Sequence, residues 1–396
     1  MHFRLRLVPP RARHGPSEQV ARTGDPAPMI TLESTSSRRA QSWRHDSRRW
    51  VFCALACLAL LAGACSSEHP ARGSFVSHAS PVAPLAARAV AGVAITVGDL
   101  DRSVAFFRDA LDFVEENRRE LKGAELERTT GVFGAHVIIA RMRLGAEHIE
   151  LWQFLAPEGR PMPVPSRAND LWFQHIAIVV SDMSRAYQRL REHKVRFAST
   201  DPQTLPQSLP NAAGISAFYF KDPDGHFLEL IHFPPGKGEP RWQTASGLFL
   251  GIDHTAIAVR STEASKAFYE RTLGMRVAGG SENFGTEQAH LNNVEGAHLI
   301  ITTLRAPAGP GVELLEYVHP AGGREAPADS QANDLWHWHT IIEVAPGTDA
   351  GAVLRGAGRP LVSKDLLKSG DAPAMFLDPD GHNVLLTTDH ARSTTP

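Results

Sequence analysis

Apolar positions along the chain change period in a repeating order. Residues 93–97 form a β-branched apolar run that predicts a strand, and Asp99 stands where a helix N-cap belongs. Val104, Phe107 and Leu111 then recur on one helical face, and strand-like runs follow at 136–140 and 149–155. The same order returns with a strand at 176–180, a cap at Asp182, a helix over 186–192 and strands at 217–220 and 227–233. A third round runs 255–259, 263–273, 298–302 and 313–318, and a fourth runs 340–344, a Gly-interrupted helix over 349–355, and a hairpin over 375–386. Two hairpins turn on the same five residues, Asp222 to His226 and Asp378 to His382, whose Asp-Gly step is a strong turn signal. The pattern predicts an α+β protein of four βαβββ modules paired two and two. Consecutive pairing gives one domain at 89–236, a Pro/Gly-rich linker at 237–246 and a second domain at 247–389, each curved around its own pocket.

The halves also repeat in sequence. Residues 150–175 read ELWQFLAPEGRPMPVPSRANDLWFQH and residues 313–339 read ELLEYVHPAGGREAPADSQANDLWHWH. Each begins with a glutamate on an apolar run (Glu150, Glu313) and ends on a histidine that opens another (His175, His339), which marks two related domains. Carboxylate and imidazole together suit divalent metals. Trp172 and Trp336, in the shared Asn-Asp-Leu-Trp, are expected to anchor packing between modules.

Composition changes the picture at the N-terminus. Residues 1–49 are rich in Arg and Ser, and 50–64 are one apolar run, too short to span a bilayer and closed by small residues. Residues 1–64 therefore read as a secretory signal, 65–88 as a Ser/Pro/Ala-rich tether and 390–396 as a tail. Leu-Leu-Ala-Gly-Ala-Cys-Ser-Ser resembles a bacterial lipoprotein signal, which implies an extracytoplasmic protein held to the membrane by lipid on Cys65, with plain secretion as the alternative. All three cysteines (Cys53, Cys57, Cys65) lie in or beside that signal, so the expected mature chain has no disulfide, thiolate site or cysteine nucleophile. Residues 1–64 hold ten of the 41 basic and four of the 43 acidic residues, which leaves the remainder at −8. No basic block stands out, so a nucleic-acid partner lacks its electrostatic footprint. No Gly-x-Gly-x-x-Gly, Walker loop or Gly-x-Ser-x-Gly elbow supports nucleotide cofactors or serine-hydrolase chemistry.

The four modules, the Phe268-to-Gly274 segment, the paired Asp-Pro-Asp-Gly-His turns and the strand-end glutamates resemble the vicinal oxygen chelate superfamily of glyoxalase I, extradiol dioxygenases and bleomycin-resistance proteins. The resemblance implies glyoxalase-like domains with curved mixed sheets. It also implies a divalent metal (Fe, Mn, Zn or Ni) held by the first strand (His or Gln) and last strand (Glu) of each module. Alignment of the modules then offers Gly92, Glu150, His175 and Glu229 in the first domain, and His254, Glu313, His339 and Leu385 in the second. Six of these eight can ligate: Glu150, His175, Glu229, His254, Glu313 and His339. His254, His339 and Glu313 would form a two-His–one-carboxylate set suited to Fe(II) and oxygen. Glu150, His175 and Glu229 would form a glyoxalase-type set, with Glu229 or Glu313 as the proton-transferring carboxylate. Catechol-like diols and α-hydroxycarbonyl or dicarbonyl compounds are the implied substrates. The alternative is a metal-free protein that sequesters a small molecule, as bleomycin-resistance relatives do. His337 is a candidate acid/base group, His226 and His382 are expected to stabilise their hairpins, and Tyr219, Phe227 and Tyr317 can line a cavity or fill the core.

Overall fold

The computed structural model describes residues 84–363 and 373–388. The expected signal, Cys65, most of the expected tether and the expected tail lie outside the described residues. The tether ends earlier than its composition suggests, because Leu85 is buried and the first strand begins at Ala87.

Four modules follow in chain order. The first comprises β1 (Ala87–Thr96), α1 (Leu100–Leu111), β2 (Val114–Lys122), α2 (Ala124–Thr130), β3 (His136–Leu144) and β4 (Glu147–Ala156). The second comprises β5 (Gln174–Val180), α3 (Met183–Glu192), β6 (Arg196–Phe197), β7 (Gln203–Thr204), β8 (Ser216–Lys221) and β9 (Phe227–His232). A short helix, α4 (Pro240–Thr244), occupies the expected linker. The third module comprises β10 (Phe249–Val259), α5 (Thr262–Arg271), β11 (Arg276–Asn283), α6 (Thr286–Asn292), β12 (His298–Arg305) and β13 (Gly311–His319). The fourth comprises β14 (Trp338–Val344), α7 (Ala350–Gly356), β15 (Ala374–Leu377) and β16 (Asn383–Thr387).

The helix starts follow from their caps. Asp99 and Asp182 each accept a hydrogen bond from the amide three residues on, at 3.0 Å, and so satisfy one of the free N–H groups of α1 and α3. The two hairpin turns are built alike. Asp222 Oδ1 accepts from the amides of Asp224, Gly225 and His226, and Asp378 Oδ1 from those of Asp380 and His382. Each turn then reaches the preceding module: Asp224 accepts from the Gly98 amide and Asp380 from the Arg260 amide, both at 3.0 Å.

Cores and sheets divide the modules differently. The helix-facing cores join consecutive modules: Ile95, Phe107 and Leu151 pack with Ile178, Phe218 and Leu230, while Ile257, Tyr269 and Leu314 pack with Ile342, Phe376 and Leu386. The sheets run across the halves. An outer seven-stranded sheet, β15-β16-β14-β1-β4-β3-β2, pairs the first module with the fourth; an inner nine-stranded sheet, β11-β12-β13-β10-β5-β9-β8-β6 with β7 beside β8, pairs the second with the third. The joins are antiparallel, β1 to β14 and β10 to β5. The expectation of a sheet and pocket within each half is therefore corrected: each concave face is made by one module from each half. Every strand at a join is almost wholly buried, so alternation along it carries no clue to its neighbour.

The long repeated connections lock the halves by reciprocal contacts. Arg160 holds Asp334 (2.9 Å from Nε) and lies over Trp336, while Arg324 holds Asp170 (2.7 Å from Nε) and lies over Trp172. Gly159 and Gly323 permit this approach, since a Cβ on them would stand 1.6 Å from the Asn333 carbonyl oxygen and 1.5 Å from that of Asn169. Trp172 and Trp336 are thus anchors between modules, each donating to a serine hydroxyl, Ser166 and Ser330. Arg160→Ala leaves the buried Asp334 carboxylate short of its charged partner and is expected to lower stability. A lowered urea midpoint at unchanged slope would register it; an unaltered midpoint would show that the clasp contributes nothing.

Candidate metal centre

The inner sheet gathers four of the six candidate ligands at one point. On β10 and β5, His254 faces Ala177 and Ala256 faces His175, so strand alternation sends both imidazoles to the concave face. Glu229 on β9 lies beside Ala177, and Glu313 on β13 lies beside Ala256. The two alanines are what make room between the four larger side chains. One donor atom from each of His175, Glu229 and His254 falls within 4.8 Å of the others. His175 Nε2 is 3.0 Å and His254 Nε2 3.5 Å from Glu229 Oε2, and Glu313 Oε2 lies 3.3 Å from His254 Nε2.

Electrostatics and hydrogen bonding agree on the state of these groups. Burial alone would raise the Glu229 carboxyl, but the two imidazoles outweigh it and bring it down to about 2. Burial also opposes charge on His254, yet Glu313, Asp253 and Glu229 more than offset it and raise its imidazole well above the ordinary value. Asp253 Oδ2 lies 3.0 Å from His254 Nδ1 and can only accept, which places a proton on Nδ1 and aims Nε2 into the cluster. Trp242 Nε1 (3.0 Å) and Arg305 Nη2 (3.1 Å) fix Asp253 in turn. Thr303 Oγ1 donates to Glu313 Oε1 at 2.8 Å.

The arrangement fits a divalent cation. Neither ring nitrogen of His175 nor His254 Nε2 makes a well-aligned hydrogen bond among the described residues, although Glu229 and Glu313 oxygens stand 3.0 and 3.3 Å from the two Nε2 atoms. Buried imidazoles left in that state are costly, and a cation between two nitrogens and two carboxylates would satisfy all of them. Mixed N and O donors suit Zn, Mn, Fe or Ni. A cavity of about 1110 Å³ opens over Glu229, His254 and Glu313, with Tyr219 also in its wall. His175 sits behind them, its ring 5.0 Å from that of Tyr219.

The remaining two candidates lie on the outer sheet, so two expected sets are corrected. His339 is on β14, away from the sheet that carries His254 and Glu313, and Glu150 is on β4, away from His175 and Glu229. The reason is the pairing across halves described above. At the matching register of the outer sheet, Gly92 and Leu385 stand where the inner sheet has His254 and Glu229. Glu150 is instead held by Arg119 Nη2 (3.0 Å) and Trp152 Nε1 (2.9 Å).

Other candidates find plainer places. His337 lies on the outer side with its Nε2 3.1 Å from His339 Nδ1, and burial pushes it down to about 4. His226 and His382 fasten their hairpins to carbonyl oxygens of other modules, those of Leu335 and Ala258. Phe227 and Tyr317 belong to an apolar cluster. Sequence reasoning missed Asp253, whose one signal was its place before His254. It also missed Asn283 and Gln288, which line the inner cavity from β11 and α6, elements that had not been foreseen.

Known proteins match this chain in sequence and fold. A model of the Glyoxalase/Bleomycin resistance protein/Dioxygenase superfamily matches residues 89–230 and 251–386. A 2-epi-5-epi-valiolone epimerase from Actinomyces sp is 34% identical over 152 residues, 37% of this chain and 81% of that protein. A lactoylglutathione lyase from Arabidopsis thaliana is 23% identical over 294 residues, 74% of this chain and 89% of that protein. The crystal structure of glyoxalase I from Zea mays shares the fold with a TM-score of 0.50 and 17% identity, covering 76% of this chain and 91% of that one.

Proposed function

The chain belongs to the Glyoxalase/Bleomycin resistance protein/Dioxygenase superfamily, and from that premise we propose that it is a divalent-metal-dependent isomerase, epimerase or lyase. In this reading the inner sheet moves a proton at a carbon next to a carbonyl. The observation that carries it is the convergence of His175, Glu229, His254 and Glu313 beneath one cavity, with buried imidazole nitrogens aimed at carboxylate oxygens without well-aligned hydrogen bonds. A four-donor set with two carboxylates favours proton transfer over the oxygen chemistry that a two-His–one-carboxylate triad supports. The epimerase and lyase relatives agree with that class of reaction.

His175, Glu229, His254 and Glu313 would hold the metal, which when bound polarises vicinal oxygens and acidifies the adjacent C–H. The protein's own groups divide the rest. Glu229 is buried between two imidazoles and held at about 2, which makes it a weak base and a firm anchor. Glu313 touches one imidazole, takes a hydrogen bond from Thr303 and is the more open to the cavity. It is therefore the carboxylate placed to take the proton and return it to the same or a neighbouring carbon. Asp253 keeps His254 in the tautomer that presents Nε2.

Elemental analysis of the purified full chain tests this. One divalent metal per chain is expected after growth in metal-replete medium, with deuterium exchange at the carbon next to the carbonyl of a hydroxyketone substrate. Glu313→Gln is expected to lower that exchange by at least about 100-fold while the chain still takes up metal. A chain free of metal under those conditions would favour the sequestration reading instead.

A further inference from the structure

The halves repeat each other, but two facing positions break the repeat. The shared Asn-Asp-Leu-Trp is followed by Phe173 in the first half and by His337 in the second, and the shared Asp-Pro-Asp-Gly-His turn by Phe227 and Asn383. In the first half the two phenyl rings meet edge to face, centroids 4.9 Å apart, and pack with Ala168 and Val294 in one apolar cluster. The counterparts of those two neighbours, Ala332 and Val132, border a second cavity of about 450 Å³ together with His337 and Asn383. A space that two phenyl rings fill in one half is thus open in the other, at a volume typical of small-molecule sites. It shares no lining residue with the cavity over the metal centre.

The walls decide what fits. Trp172, Trp336 and Trp338 border the cavity, the first two fixed by the arginines stacked on them. Aromatic walls, and the pair of rings that fills the counterpart, favour a ligand with a ring of its own. Arg260 is the one Lys or Arg in the wall among the described residues, and Asp380 (3.2 Å) and Glu325 (2.9 Å) engage it. Burial keeps the His337 imidazole uncharged near neutrality. An anionic group would therefore lose its water without gaining a free cation. Asn383 is partly exposed where Phe227 is buried, and its amide can accept from a hydroxyl or N–H and donate in return.

We propose that the cavity bordered by Trp172, Trp336, Trp338, His337 and Asn383 is a second small-molecule site, separate from the metal centre, for an uncharged aromatic compound that bears a hydroxyl or N–H group. The ring of the ligand takes the space that Phe173 and Phe227 fill in the other half, and its polar group meets the imidazole and amide that replace them. Binding there needs no metal.

Titration calorimetry on the full chain, stripped of metal by a chelator, tests the site with three probes of similar shape. These are 2-naphthol, an uncharged aromatic alcohol; trans-2-decalol, its saturated counterpart; and 2-naphthoate, its anionic counterpart. The naphthol is expected to bind at least about 5-fold more tightly than the decalol, the scale on which aromatic pairs add to plain burial. It is expected to bind at least about 10-fold more tightly than the naphthoate, whose charge would be desolvated without a partner. Magnetic resonance of the indole N–H groups locates it: the signals of Trp172, Trp336 and Trp338 should shift, while that of Trp242, which is bonded to Asp253 beside the metal centre, should stay. The double variant His337→Phe with Asn383→Phe rebuilds the ring pair of the first half and is expected to abolish saturable naphthol binding. The proposal is overturned by no saturable binding of the naphthol, by equal binding of either counterpart, by unmoved signals of the three cavity tryptophans, or by wild-type affinity in the folded double variant. The probe comparison and the indole signals need no variant, so a misfolded mutant does not obscure the result. The titrations contain no metal, so their failure and a failure of the metal centre are read separately.

Discussion

His254→Ala is expected to abolish stoichiometric metal uptake by the inner sheet and, with it, proton exchange on substrate. The imidazole is in contact with both carboxylates, 3.5 Å from Glu229 and 3.3 Å from Glu313, and its loss removes the nitrogen that Asp253 aims into the cluster. Asp253→Asn acts one step further out and is expected to lower metal affinity by about 10–100-fold, measured by competition with a chromophoric chelator. The pH dependence follows from the same contacts. His254 is raised well above the ordinary imidazole value, so near neutrality in the metal-free chain it carries a proton that a metal must displace. Apparent affinity should therefore climb as pH rises through the neutral range. Glu229, held at about 2, is already ionised there and adds nothing to that slope. Its own signature lies lower: a carboxyl depressed in the folded state stabilises the metal-free fold above the usual carboxylate range, and that contribution is lost as pH falls toward about 2. Full metal occupancy in His254→Ala would remove the inner centre as described.

Most elements were legible because their apolar positions alternate or recur at helical spacing, as in α1 with Val104, Phe107 and Leu111. β2 and β11 were not, since both are largely exposed: Val114–Lys122 reads VEENRRELK and Arg276–Asn283 reads RVAGGSEN, and neither buries a face that would leave a pattern. The site was legible one residue at a time. All four residues that converge on the inner sheet were among the candidates, yet their grouping depended on which sheet each module joins. That choice is made by the register of β10 on β5 and of β1 on β14, strands whose paired positions are mostly buried and mostly apolar in all four, so one partner looks as good as another in sequence. Asp253 shows a second limit, because a carboxylate that acts through its neighbour's ring nitrogen has no spacing rule of its own.

Arg119→Met is expected to destabilise the outer sheet by about 3–5 kcal/mol, the usual consequence of leaving a buried charge without its partner. Glu150 is 2% exposed and receives Arg119 Nη2 at 3.0 Å, with Arg119 itself 18% exposed. The inner sheet meets its carboxylates with imidazoles and a cation-binding geometry; the outer sheet, with Gly92 and Leu385 in the corresponding places, meets Glu150 with a guanidinium. The arginine is thus the cation that meets the buried glutamate on the outer sheet, and two consequences follow. The double variant Arg119→Met with Glu150→Leu should recover most of the lost stability, because replacing both charges by apolar groups removes the desolvation penalty together with the attraction. Metal content should stay at one per chain in the wild type and in both variants, since the inner ligands are untouched. Chemical denaturation and elemental analysis read the two halves of the prediction separately. A second equivalent of metal in the wild-type chain, or a single variant as stable as the wild type, would show that Arg119 does not serve the outer sheet as its cation.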